Sequence, residues 1–207
     1  MGKNTAAHLT AFLTILIWGT TFIATKVLLR DFTPVEILFS RFTLGFLALS
    51  CVPGGIHFTT FRNELLFAGA GFSGVTLYFL FENIALQYTL GSNVGILVTI
   101  APFFTALLSR FFGKKEPLYP AFFIGFLLAL GGIALISFNG SVILKLNPAG
   151  DILAILAALV WAVYSIFMKR IGELGYPMIP ATRRVFFYGL LLMIPALFFM
   201  DFHPALR

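Results

Sequence analysis

The chain has 207 residues, 59% of them hydrophobic and 11% charged, with a mean hydropathy of +0.98 and a formal net charge of +6. A water-soluble core of this length cannot hide so much apolar surface, so the composition excludes a soluble globular domain and points to a polytopic membrane protein. The apolar runs are about 20 residues long and do not alternate with period two, which favours an all-α bundle over a barrel.

Hydropathy predicts seven spans, roughly 8–28, 35–53, 65–87, 91–111, 118–138, 151–169 and 180–200. The first follows Lys3, as a signal peptide would, but no small-residue cleavage motif closes it, so it is expected to stay as a helix. It ends at Lys26 and Arg30, whose stems can snorkel to the headgroups. Thr33, Pro34 and Glu36 then form a capping signature that starts the second span sharply. The cluster Cys51-Val-Pro-Gly-Gly ends it, and a loop with Arg62 and Glu64 leads to the third span. Ala70 and Gly74 in that span, and Gly91 and Gly95 in the fourth, have the small-residue spacing that lets helices approach closely in lipid. Pro102 frees a carbonyl in the middle of the fourth span. Arg110, Lys114 and Lys115 form the most basic loop, and the fifth span ends at Asn139-Gly140. Ala154, Ala158 and Ala162 make a packing stripe in the sixth.

The basic residues sit at span ends, as topology requires, and no basic run with interleaved aromatics marks a nucleic-acid surface. With the N-terminus on the cytoplasmic side, nine Lys and Arg fall inside and five fall outside or in the outer half. Cys51 is the one cysteine, and His8, His57 and His203 lie near span ends, so no metal site and no cofactor are expected.

The chain repeats itself at an offset of 143 residues: Trp18 falls on Trp161, Lys26 on Lys169, Pro34 on Pro177 and Arg41 on Arg184. Both tryptophans of the chain are in this register. Five spans separate the copies, an odd number, so the copies enter the membrane from opposite sides. That is an inverted five-helix repeat, with residues 1–143 as the first unit and 144–207 as the start of an incomplete second one. Inverted repeats of this kind underlie many secondary transporters, with the substrate near midplane between the copies.

Several motifs together carry a resemblance. They are Trp18-Gly19-x-x-Phe22 with its echo Trp161-Ala162, Pro34 to Arg41, Ser92-Asn93 followed by Ala101-Pro102-Phe103-Phe104, Lys114-Lys115-Glu116, and Gly131-Gly132. In this order and spacing the chain resembles the drug/metabolite transporter superfamily, in its EamA-type branch. The resemblance implies two inverted bundles of five helices that move small metabolites, amino acids or related compounds among them, across the cytoplasmic membrane. The second unit has two spans where the family pattern has five. A second copy or another partner would then complete the bundle, and the alternative is a non-transporting remnant or assembly subunit.

Trp18 and Trp161 lie in mid-helix and are candidates to wall a substrate cavity, with helix packing as the plain alternative. Tyr78, Asn93, Thr99 and Tyr164 can offer hydrogen bonds to a polar substrate or between helices. Arg41, Glu82 and Arg184 are charges at membrane depth, each with either a partner, a function or a route to the interface. No catalytic residue is expected. Ser73 in Gly71-Phe72-Ser73-Gly74 mimics an intramembrane protease motif, but no histidine base lies inside a span. The seventh span has no lysine for a retinal Schiff base, and no phosphate loop is present for a nucleotide.

Overall fold

Each expected span is helical. In the computed structural model, which describes residues 3–55, 58–112, 119–137, 147–200 and 202, the helices are α1 (Lys3–Leu28), α2 (Pro34–Ser50), α3 (Phe61–Tyr88), α4 (Gly91–Phe112), α5 (Pro120–Ser137), α6 (Pro148–Glu173) and α7 (Met178–Phe199). Five of them, α1, α3, α4, α6 and α7, are long and apolar enough to cross a membrane, while α2, at 17 residues, sits at the lower limit. The Lys114-Lys115-Glu116 loop, Asn139-Gly140, Lys145, His57, His203 and Arg207 lie outside the described residues.

The capping box at the start of α2 forms as its sequence requires. Thr33 Oγ1 accepts from the Glu36 amide at 3.4 Å, and Glu36 Oε2 accepts from the Thr33 amide at 2.7 Å. Asn147 caps α6 by accepting from the Gly150 amide at 3.5 Å, its own amide donates to Asp151 Oδ2 at 3.1 Å, and Pro148 takes the first helical position.

Two expectations need correction. Hydropathy places Arg62 and Glu64 in a loop, but α3 already begins at Phe61, so both lie in its first turn. Glu64 holds that start by accepting from the Thr59 amide at 2.8 Å and the Thr59 hydroxyl at 3.1 Å, where the helix dipole favours a carboxylate. Lys26 does not reach for headgroups. Its Nζ donates to the carbonyl of Leu86 and, at 2.9 Å, to that of Thr89, because the open carbonyls ending α3 are the nearer negative partner.

α6 lies at the centre, packed on α3 and α4 along a stripe of Ala154, Ala157, Ala158 and Ala162 with no exposed surface. α7 packs on α2 and on the middle of α3, where residues Gly71–Leu77 form a π-helical turn. The contact there is backbone on backbone: a Cβ on Gly71 would lie 2.6 Å from the Gly189 nitrogen and the Val185 oxygen. Thr76 Oγ1 adds a hydrogen bond to the Gly189 carbonyl at 2.9 Å. Arg183 binds α7 to the end of α2 by donating to the carbonyls of Leu49, Val52 and Gly54. α1 packs more lightly on α3 and α4, and leaves Phe12, Ile15 and Ile17 exposed on different sides of the helix, an apolar surface suited to lipid.

Candidate functional site

α1, α3, α4 and α6 meet around a cavity of about 380 Å³. Helical spacing explains which residues reach it. On α1 they are Trp18, Thr21 and Phe22, at positions i, i+3 and i+4, and on α3 they are Tyr78, Phe79 and Glu82. α4 supplies Gly95, Val98, Thr99, Ala101 and Pro102, around the point where its hydrogen-bond ladder breaks at Thr99–Ile100. Pro102 causes the break, since it has no amide hydrogen to give to the Val98 carbonyl. α6 supplies Trp161.

The two repeat-related tryptophans touch. Their ring centres are 6.0 Å apart in an edge-to-face arrangement at 89°, and Tyr78 lies 4.7 Å from Trp161. Glu82 is the charged member of the lining, 7% exposed, and accepts a hydrogen bond from the Tyr78 hydroxyl at 3.2 Å through Oε1. Arg41 stands behind this wall. Its guanidinium lies 4.3 Å from the centre of the Phe79 ring and 5.4 Å from that of Phe42, and its buried Nη2 has no hydrogen-bond partner. No ion pair joins it to Glu82 among the described residues.

Arg184, the repeat partner of Arg41, occupies a separate corner at the other end of α3. There Nη1 pairs with Glu64 Oε1 at 3.5 Å, the guanidinium lies 4.4 Å from the Phe67 ring centre, and Tyr188 donates to Glu64 Oε2 at 2.8 Å. Outside the membrane spans, the Tyr176 hydroxyl is held below the usual tyrosine range, first by its hydrogen bond with Thr59.

The structure thus brings Trp18, Tyr78, Thr99, Trp161 and Glu82 together and places the other sequence candidates elsewhere. Tyr164 packs behind Trp161 at 4.9 Å and fills the space a Cβ on Gly74 would take. Asn93 is buried and donates to Thr89 Oγ1 at 3.1 Å. Ser73 donates to the Gly69 carbonyl at 2.6 Å within the π turn. Sequence reasoning missed Phe22, Phe79 and Glu64. Phe22 was findable from its i+4 spacing to Trp18, but Phe79 is one of 26 phenylalanines with nothing to single it out. Among the described residues no group of three or more His, Cys, Asp and Glu side chains is placed to hold a metal.

The family model of the EamA-like transporter family matches residues 5–138. An uncharacterized transporter of Archaeoglobus fulgidus is 30% identical over 197 residues, which is 93% of this chain and 67% of that protein. A probable terminal-alkyne amino-acid exporter of Streptantibioticus cattleyicolor is 28% identical over 159 residues, covering 76% of this chain and 52% of that one. A protein of known crystal structure shares the fold with a TM-score of 0.66, at 24% identity, over 97% of this chain and 70% of its own. The chain therefore spans between about half and two-thirds of the length of the curated relatives it matches. With a family match over more than half of its residues and helices built to cross a bilayer, the chain belongs to the EamA-like transporter family of multi-pass membrane proteins.

Proposed function

We propose that this protein is a secondary transporter that carries small metabolites, amino acids or related compounds among them, across the cytoplasmic membrane by alternating access. The observation that carries this reading is the cavity between α1, α3, α4 and α6, because both copies of the repeat give it a tryptophan. In this reading residues 1–143 are one unit and 144–207 begin a second, inverted one, and the two rock about the cavity. The N-terminus lies on the cytoplasmic side, where the larger share of Lys and Arg then falls. The relative whose name gives it as a probable amino-acid exporter supports a substrate of amino-acid size. A cavity of about 380 Å³ suits one, since it is at the small end of ligand pockets.

Exchange of radiolabelled amino acids in proteoliposomes tests the proposal. Uptake is expected without ATP, driven by unlabelled amino acid on the far side. In Trp161→Ala it should fall by at least about ten-fold, the equivalent of roughly 1.4 kcal/mol of lost contact. Uptake no greater than in protein-free vesicles, from a chain shown to be folded, would sink the reading.

A further inference from the structure

The polar groups lining the cavity are used up in an uneven way. Thr21 Oγ1 gives its proton to the Trp18 carbonyl at 2.7 Å, and Thr99 Oγ1 gives its proton to the Ile96 carbonyl at 2.5 Å. Tyr78 gives its proton to Glu82 Oε1. All three hydroxyl protons are therefore committed, and what these groups still offer the cavity is oxygen lone pairs. Glu82 adds the strongest acceptor, because among the described residues nothing hydrogen-bonds its Oε2. The rest of the lining is five aromatic rings, those of Trp18, Phe22, Tyr78, Phe79 and Trp161, with small and aliphatic residues of α4 between them, and aromatic rings attract cations through their quadrupoles.

A lining of acceptors, one carboxylate and aromatic faces is complementary to a positively charged hydrogen-bond donor on an apolar body. Arg41 does not supply that donor, because it stands behind Phe79 and outside the lining. We infer that the cavity recognises its substrate through a protonated amine, seated against Glu82 Oε2 and caged by Tyr78, Trp18 and Trp161, and that a carboxylate on the substrate is dispensable. This rests on the reading of the cavity as the substrate site, and narrows it to a class: organic ammonium compounds of amino-acid size, with an apolar or aryl body.

The chain carries its own probe, since both of its tryptophans line the cavity. Intrinsic tryptophan emission of the chain in nanodiscs is titrated with three compounds that share a phenethyl body: phenethylamine, 3-phenylpropionate and 2-phenylethanol. Phenethylamine is expected to change the emission saturably, with the acid and the alcohol needing at least about ten-fold higher concentration. In Glu82→Gln, checked for folding by its melting profile, the preference for the amine is expected to shrink by about ten-fold. Equal affinity for the acid or the alcohol in the unaltered chain would overturn the inference and leave the cavity standing as a site. An undiminished preference in a folded Glu82→Gln would overturn it too. Silence from all three compounds would count against the cavity itself, and so against the reading beneath.

Discussion

The two arginines of the repeat have been given opposite surroundings from the same parts. Each stands on an aromatic ring, each faces a carboxylate from α3, and in each corner a tyrosine hydroxyl donates to that carboxylate. The Arg184 corner is closed: an ion pair at 3.5 Å, a tyrosine at 2.8 Å, and two further donors from Thr59 on Glu64. Both corners keep a buried guanidinium nitrogen without a hydrogen bond, Nη1 of Arg184 and Nη2 of Arg41, so the difference lies at the carboxylate: Glu82 has a single hydrogen bond at 3.2 Å and no ion pair among the described residues. The Arg184 corner ties one end of the bundle together through Glu64, whereas the carboxylate of the other corner, Glu82, lies on the cavity.

The comparison is most exposed to removal of the carboxylates. Glu64→Ala leaves Arg184, only 4% exposed, without its counter-charge and is expected to cost about 3 kcal/mol of stability. Glu82→Ala removes no ion pair and should cost about 1 kcal/mol. Unfolding of both variants by SDS in mixed micelles measures the difference, and equal losses would dissolve the contrast between the corners. A smaller effect comes from the tyrosines. Tyr188→Phe should cost about 1.5 kcal/mol, and Tyr78→Phe about 0.5 kcal/mol because its bond is longer. The reverse order in the same assay would mean that the Arg41 corner bears more of the fold than its geometry suggests.

Much of this architecture is legible in the sequence. Hydropathy finds the spans, Thr33 and Glu36 announce the start of α2, and Pro102 announces the break in α4. The repeat picks out Trp18 and Trp161, the two rings that the fold brings into contact. What escapes is whatever depends on rotation about a helix axis. Glu64 reads as a loop residue because hydropathy sees a charge and not the turn it caps. Phe79 is invisible because nothing in an apolar chain separates a phenylalanine that lines a cavity from one that faces lipid. The π turn leaves no mark in composition or period, since Gly71 to Leu77 reads as ordinary apolar helix.

That π turn sits between the two carboxylates, with Glu64 before it and Glu82 after it. Such a turn holds one residue more than the α-helix it interrupts. It therefore acts as a phase shift, fixing the angular offset between one end of α3 and the other. Deleting one residue from this segment would let the α-helical period run through, and would turn everything beyond it by about 100°, one residue's share of a 3.6-residue turn. Glu64 would keep its place under Arg184, while Tyr78 and Glu82 would rotate out of the cavity. A single extra residue thus allows one continuous helix to present two differently aimed carboxyls.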